Sequence, residues 1–222
     1  MKAFKICAIF ILILISQNTF SQLTDPFLNS YSIYKSYHPE KAKEYKDVDG
    51  SPYLNEEFAD GVIYMHDTVT IKLPLRYNIY TDEMEYQLKG INFVVANPQE
   101  VNRIVIGQSV FVYQTFNKKS VYFELFESGK CSLIQKKSVA FKPAEGPKAI
   151  TGAATPAQFL RKSDSYYLVK DKSQVLRIDN LKTLLIALED QKDKMESFIN
   201  QGKIKNIKKE NLMKIVKYYN SL

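Results

Sequence analysis

The fold class follows from residues 69–88, VTIKLPLRYNIYTDEMEYQL, the most regularly patterned stretch of the chain. Apolar residues alternate with polar ones from Val69 to Tyr80, which is the period of a β-strand that buries one face. Pro74 interrupts this run and lacks a backbone donor, so the strand is bent, bulged or at an edge there. The stretch therefore predicts antiparallel β structure with one apolar face.

The second half of the stretch predicts a hairpin that turns at Thr81-Asp82. With that turn, Arg76 faces Gln87 and Asn78 faces Glu85, and Arg76 lies diagonal to Glu85. A four-residue loop keeps the same side chains on each face, whereas a three-residue loop flips one strand. The apolar face then collects the alternate side chains of both strands: Leu75, Tyr77, Ile79, Met84, Tyr86 and Leu88.

We interpret Arg76, Asn78, Glu85 and Gln87 as cross-strand partners on a solvent-facing surface, and they are the candidate binding residues. Each cross-strand pair contributes roughly 0.2–1 kcal/mol. A catalytic role for Arg76 and Glu85 is the alternative interpretation.

Short runs rich in Val, Ile, Phe and Tyr, separated by closely spaced turns, continue from Gly61 to about Ile178. This spacing predicts a mainly β (α+β) protein in which an antiparallel meander forms a curved sheet, a half-barrel or a sandwich. Residues 143–158 are rich in Pro, Gly and Ala, and they predict a surface loop or flap.

The period changes after residue 178. Leu181, Leu184, Leu185 and Leu188 lie at helical spacing behind Asn180, a favourable N-cap residue. Asp190 is predicted to cap a second helix that Gly202 ends. A third helix is predicted from four apolar positions with lysines on the opposite side: Leu212, Ile215, Val216 and Tyr219.

The chain therefore divides into four predicted parts. Residues 1–21 are a signal peptide and residues 22–60 an irregular N-terminal segment. Residues 61–178 form the antiparallel β domain. Residues 179–222 form a tail of two or three short helices, which needs packing on that domain because short helices are marginal alone.

The signal peptide is predicted from its three-part layout. Met1 to Lys5 carries two lysines, Ile6 to Ile15 is apolar, and small or hydroxyl side chains precede a cleavage after Ser21. Ten apolar residues are too few to span a bilayer, so no transmembrane helix is predicted in the mature chain. We expect a periplasmic or extracellular protein that retains only Cys131 and so has no internal disulfide.

The charge is concentrated at the C-terminal end. The formal net charge of the chain is +7, and residues 181–222 alone hold nine Lys and five Asp or Glu. This pattern is typical of a solvated helical face. Nucleic acid is not an expected partner of an exported chain.

Motifs for catalysis and cofactor binding give no candidate. His38 and His66 lie in unrelated contexts without further ligands at metal-binding spacing. Asp47, Asp49 and Ser51 match only three positions of a calcium loop, and we interpret them as a turn. No nucleophile elbow, phosphate-binding loop or dinucleotide fingerprint is present. The sequence therefore predicts no catalytic residue, no metal site and no cofactor.

Three segments carry a family resemblance: GSPYLNEEFADGVIY (Gly50 to Tyr64), LRYNIYTDEMEY (Leu75 to Tyr86) and IVKYYNSL (Ile215 to Leu222). The chain resembles uncharacterised exported β-rich proteins of the Bacteroidota that end in a Lys-rich helical tail. The resemblance implies a Gram-negative envelope setting and brings no established activity.

Three functions remain open. The first is a non-enzymatic envelope module that binds or supports a protein or cell-wall component. The second is a carrier of an apolar small molecule in a half-barrel cavity, with residues 143–158 as a lid. The third is a glycan or peptide hydrolase that uses two carboxylates, or Glu85 with Arg76.

Overall fold

The computed structural model describes residues 45, 47–65, 69–147, 152, 154–170 and 174–222, together with the backbone of residues 34–36. The predicted signal peptide and both histidines lie outside these residues. Within them the protein is mainly β, with an open eleven-stranded antiparallel sheet and a separate two-stranded sheet, followed by three C-terminal helices. The predicted fold class is confirmed. No helix in the described part of the chain has the length and apolar character needed to cross a membrane.

The strands in chain order are β1 (Tyr34–Ser36), β2 (Ala59–Met65), β3 (Val69–Asn78), β4 (Glu83–Leu88), β5 (Ile91–Val95), β6 (Val101–Ile106), β7 (Ser109–Phe116), β8 (Lys119–Glu127), β9 (Cys131–Lys136), β10 (Val139–Lys142), β11 (Gln158–Arg161), β12 (Ser165–Lys170) and β13 (Gln174–Ile178). The helices are α1 (Leu181–Ala187), α2 (Lys192–Gln201) and α3 (Lys209–Ser221). Short 3-10 turns precede β6 and α2.

Two antiparallel meanders meet at β2. One runs outward through β3, β4 and β5, and the other runs through β6, β7, β8 and β9 and ends in the β12–β13 hairpin. The order across the large sheet is β1-β5-β4-β3-β2-β6-β7-β8-β9-β12-β13. Most neighbouring strands are also neighbours in sequence, so short turns create most of the sheet.

The first half of the sheet curls strongly. Tyr77 on β3 and Tyr122 on β8 are separated by three strands, which in a flat sheet places them roughly 19 Å apart at the usual strand spacing. Their ring centroids are 5.9 Å apart, and Phe111 on β7 lies 5.3 Å from Tyr77. The concave face therefore encloses an apolar core around these rings, which we call the first core.

The second half curls in the opposite direction. Phe116 on β7 and Tyr167 on β12 are 4.9 Å apart between ring centroids, although β8 and β9 lie between their strands. Tyr122 and Phe123 are consecutive in a regular strand, so they point to opposite faces. Phe123 joins Ile134, Tyr167 and Val169 in a core of its own, which we call the second core. The sheet is thus S-shaped in cross-section.

The three helices cover the outer side of the second half. Leu133 and Leu168 point away from the second core and meet helix residues that are fully or nearly fully buried: Leu184, Leu188, Met195, Leu212, Ile215 and Val216. Full burial of such a side chain contributes about 1.5–3 kcal/mol. Packing on the sheet therefore stabilises helices that are individually short.

Two of the three predicted helix ends agree with the structure, since Asn180 caps the start of α1 and Gly202 follows the last residue of α2. The Asn180 side chain accepts the backbone N–H of Thr183 at 3.0 Å, as predicted. The prediction that Asp190 caps α2 is wrong, because Asp190 accepts the Tyr219 hydroxyl at 2.8 Å and also binds Lys170. The Asp190 carboxylate instead joins α3 to β12 through Tyr219 and Lys170.

Helix α3 is fastened to β9 by Asn220. Its Oδ1 accepts the Cys131 backbone N–H at 2.8 Å, and its Nδ2 donates to the Cys131 carbonyl at 2.9 Å. A Cβ atom added at Gly129 would lie 2.7 Å from Asn220 Cγ. A larger residue at this turn would therefore displace the Asn220 side chain from its hydrogen bonds. Cys131 itself is fully buried in the helix-covered core.

The β3–β4 hairpin differs from the predicted register by two residues. Arg76 pairs directly with Glu85 and Tyr77 with Met84, around a four-residue loop from Ile79 to Asp82. Because the shift is even, the faces are preserved, and Leu75, Tyr77, Ile79, Met84 and Tyr86 are all buried as predicted. Asp82 closes the loop with φ +57°, a left-handed conformation that Asp tolerates better than most residues.

The small sheet lies within and beside the predicted loop at residues 143–158. β10 pairs with β11, and a bridge between Glu145 and Thr155 extends the pairing into that segment. The sequence did not predict these two strands. The sheet packs its Phe141 and Phe159 rings on Tyr80 of the β3–β4 loop, at centroid distances of 6.2 and 5.2 Å.

Candidate functional site

The predicted binding residues do not form a solvated surface. The side chain of Glu85 is 3% exposed and that of Arg76 is 14% exposed. Residues 52–58 cross over this face of the hairpin, where Leu54 N–H donates to the Tyr77 carbonyl at 2.9 Å. The prediction that Asn78 and Glu85 face solvent is wrong, because this preceding segment buries them.

The Arg76 guanidinium makes hydrogen bonds and ring contacts with several surrounding residues. Its Nε donates to Glu85 Oε2 at 2.8 Å, and its Nη atoms donate to the Glu56 carbonyl and the Tyr53 hydroxyl at 2.9 and 3.0 Å. The guanidinium also stacks between two rings, 3.8 Å from the centroid of Tyr53 and 4.4 Å from that of Phe58. These contacts join the N-terminal segment to the sheet.

Burial raises the pKa of the Glu85 carboxyl, and the neighbouring Arg76 charge only partly opposes that effect. The Asn78 amide donates to Glu85 at 3.4 Å, while its oxygen accepts the N–H groups of Tyr80 and Thr81 at 3.1 Å each. Asn78 thereby shapes the loop. Gln87 lies apart from these residues and donates to Asn92 on β5 at 3.1 Å.

A second polar cluster lies inside the first curl. Lys136 Nζ donates to the Tyr77 hydroxyl at 2.8 Å and to the Tyr122 carbonyl at 3.1 Å, and it pairs with Asp82. Asp82 also accepts the Tyr77 hydroxyl and the Tyr122 backbone N–H. The cluster therefore ties the β3–β4 loop to β8 and β9 across the concave face.

Burial dominates the proton equilibria of this cluster. It raises the pKa of Tyr77 well above its usual value, and the Asp82 charge acts in the same direction. Burial also lowers the pKa of Lys136, although Asp82 opposes that shift. The Tyr77 hydroxyl therefore stays protonated at neutral pH and serves as a donor to Asp82.

A cleft of about 630 Å³ opens beside this cluster. We call it the tyrosine cleft. Its walls are the loop from Thr81 to Glu83, the chain from Val94 to Ala96 with the turn that follows, and the β7–β8 hairpin with Tyr113 and residues 119–122. Its volume lies within the range of about 300–1,000 Å³ that is usual for small-molecule sites.

Two hydroxyl groups at this cleft are buried and make no hydrogen bond with any residue that the structure describes: Thr81 Oγ1 and Tyr122 Oη. Tyr122 is only 3% exposed. Burial raises its pKa well above the usual value, followed by the charges of Tyr113, Asp82 and Glu83. All three of these neighbours line the cleft, whereas the Tyr122 hydroxyl itself is buried in the first core.

The sequence did not predict this cleft. The strand pattern placed Tyr77 on the apolar face and Asp82 in a turn, but no local pattern links Asp82 to Lys136, 54 residues further along. The one available signal was composition, because Tyr carries a polar group that needs a partner when its strand face is buried.

A second hollow, of about 440 Å³, lies on the concave side of the second curl. Apolar side chains of four strands line it: Val112, Leu125, Ile134 and Val169. Gln114, Lys130 and Ser132 add polar groups to its walls. This hollow is more apolar than the tyrosine cleft.

Within the described residues, no group of three or more His, Cys, Asp or Glu side chains is arranged to hold a metal ion. Comparison of the chain with protein-family models, curated proteins and solved structures found no match. The class that the fold and site define is therefore a mainly β protein with a polar, small-molecule-sized cleft.

Proposed function

We propose that this protein is an exported, non-enzymatic binding module of the cell envelope that holds a cell-wall or protein partner at the tyrosine cleft. The tyrosine cleft carries this proposal. Its volume of about 630 Å³ is usual for a binding site, and charged side chains such as Glu83 and Lys119 line it beside apolar ones such as Val94.

The use of the buried charges favours binding over catalysis. Glu85 is held by Arg76 beneath Tyr53, and Asp82 is held by Lys136 and Tyr77. Glu124 likewise accepts from Ser109 at 2.7 Å and pairs with Lys137 at 3.0 Å. A general acid or base must reach the proton that it transfers. Carboxylates engaged in this way act as supports for the sheet.

The proposed location rests on the sequence. Residues 1–21 have the layout of a cleavable signal peptide, and three segments resemble exported proteins of the Bacteroidota. A binding module in the periplasm or at the cell surface would meet cell-wall polymers and envelope proteins directly.

Blocking the cleft tests the proposal. Ser120 is exposed at the cleft wall, so Ser120→Trp places a large side chain in the opening. Ser221 is exposed at the end of α3, and Ser221→Trp is the matched control. We expect Ser120→Trp to abolish cosedimentation of the purified protein with isolated envelope fractions, while the control retains it. Equal cosedimentation of both variants would contradict the proposal.

The apolar hollow of the second curl supports a second candidate, a carrier of an apolar small molecule. Its volume of about 440 Å³ suits one small ligand. Native mass spectrometry of protein purified from its host tests this function. A uniform mass equal to that of the polypeptide alone would remove it.

A further inference from the structure

The hollow of the second curl, which has a volume of about 440 Å³, keeps part of its apolar wall accessible. Four apolar side chains of the second core line it: Val112, Leu125, Ile134 and Val169. Ile134 and Val169 are buried, whereas Val112 and Leu125 are only half-buried. A ligand with an apolar part would cover the accessible surface of these two side chains, and the hydrophobic effect would favour its binding.

Alternation along β9 brings polar groups to the same hollow. Cys131 and Leu133 point into the helix-covered core, so Ser132 and Ile134 point to the other side of the sheet. Lys130 directly precedes the strand and also lines the hollow. Because Lys130 is exposed and Ser132 is half-buried, a ligand in the hollow can reach both side chains.

The charge at the hollow is positive. Lys130 is the one charged side chain among the described residues that line it, and its ammonium pairs with no carboxylate in the described part of the chain. Glu127 is the nearest carboxylate along the chain, but it pairs in register with Leu133, whose side chain lies on the helix-covered face. A lysine ammonium donates hydrogen bonds and accepts none. The complementary ligand group is therefore an anion that accepts hydrogen bonds.

We propose that the hollow of the second curl binds an anionic amphiphile of the fatty-acid class, with its hydrocarbon chain against Val112 and Leu125 and its carboxylate paired with Lys130. This inference rests on the second candidate function, the carrier of an apolar small molecule, and it names the ligand class of the same hollow. The Ser132 hydroxyl is a further donor for the carboxylate. A cationic head group would meet the Lys130 charge, so like-charge repulsion opposes it.

The test uses three probes that share a decyl chain and differ in the charge of the head group: decanoate, 1-decanol and decylammonium. Each is titrated at neutral pH into the 15N-labelled protein, and the amide resonances of Leu125, Ser132 and Val169 report binding in the hollow. We expect decanoate to bind most tightly and decylammonium least tightly. The preference for decanoate over decanol should shrink as the salt concentration rises, because dissolved ions screen the charge of an exposed lysine.

Lys130→Met removes the charge and keeps much of the apolar length of the side chain. An ion pair at an exposed lysine is weak, so this variant should bind decanoate about fivefold less tightly and decanol with unchanged affinity. Lys130→Glu should reverse the order, so that decylammonium binds more tightly than decanoate. Lys205→Met is the matched control, because Lys205 is an exposed lysine between α2 and α3 and lies outside the hollow lining. It should leave the decanoate affinity unchanged.

Two results would overturn the fatty-acid inference while the carrier function stands. One is equal binding of decanoate and decanol in the hollow of the wild-type protein. The other is an equal loss of decanoate affinity in Lys130→Met and Lys205→Met. If no probe shifts the resonances of the hollow, the inference and the carrier function are both overturned.

Discussion

Removing the same oxygen atom from two neighbouring tyrosines should change stability in opposite directions. Tyr77 and Tyr122 are 2% and 3% exposed, and their ring centroids lie 5.9 Å apart in the first core. Tyr→Phe leaves the ring in place, so the two variants differ only in what each hydroxyl contacts. Tyr77→Phe should destabilise the protein, and Tyr122→Phe should stabilise it.

The magnitudes follow from the hydrogen bonds. The Tyr77 hydroxyl donates to Asp82 and accepts from Lys136, and both partners are charged. A hydrogen bond to a charged group contributes about 1.5–3 kcal/mol, so with the Asp82–Lys136 contact retained we expect a loss of about 2–4 kcal/mol. The Tyr122 hydroxyl lacks a partner among the described residues. Its removal relieves part of a cost of about 1–3 kcal/mol, and we expect a gain of about 1 kcal/mol.

Guanidinium unfolding followed by circular dichroism measures both free energies, and equal slopes for all three proteins would show that the unfolded states are comparable. In thermal unfolding, each kcal/mol corresponds to a shift of roughly 2–4 °C for a protein of this size. A loss of stability in Tyr122→Phe similar to that in Tyr77→Phe would contradict this prediction. It would mean that the Tyr122 hydroxyl has a hydrogen-bond partner in the folded protein.

Three further outcomes are expected. Arg76→Met should destabilise the protein by about 3–5 kcal/mol at pH 8, because Glu85 loses its buried partner. Burial already raises the pKa of Glu85, so the folded state holds the proton to a higher pH than the unfolded state and stability falls as the pH rises between the two values. The loss in Arg76→Met should therefore be smaller at pH 5 than at pH 8 by urea unfolding, and a pH-independent loss would contradict this assignment. Gly129→Ala should cost about 1–3 kcal/mol through its clash with Asn220, and a double-mutant cycle with Asn220→Ala should show coupling between the two sites. Ile215→Ala should cost about 2–5 kcal/mol, since Ile215 is fully buried between α3 and the sheet, and thermal unfolding that matches the wild type would count against that packing.

Local periodicity was sufficient to predict the strands of the first hairpin and the face that each buries. The pattern from Leu75 to Tyr86 carries that information within each strand, because side chains alternate with period two. The register was not predictable in the same way. Ile79 N–H donates to the Pro52 carbonyl at 2.8 Å, so a segment more than twenty residues earlier helps to set the loop length.

Burial of Glu85 also depends on that earlier segment. Alternation shows which side chains share a face, but it does not show what covers the face. The rings of Tyr53 and Phe58 cover it here and pack on Arg76. A sequence pattern alone therefore assigned a solvated surface where the folded chain has a sealed ion pair.

The tyrosine cleft was not predictable from the sequence, because it forms only where the sheet curls. Asp82 and Lys136 are separated by 54 positions and meet only because β3 approaches β8 across the concave side. The hairpin β7–β8 gave the sequence no clean alternation, since both of its faces are apolar: Phe111 and Tyr122 point into the first core, while Val112 and Phe123 point toward the second.

That shared hairpin prevents the chain from being cut into two autonomous halves. A fragment ending after β6 would lack Phe111 and Tyr122 from its interior, and a fragment starting at β9 would lack Phe123. Each half needs the same two strands, so loss of order on one side of the S exposes apolar surface on the other. The sheet should accordingly unfold in a single cooperative transition, because β7 and β8 cannot unfold without disrupting both cores.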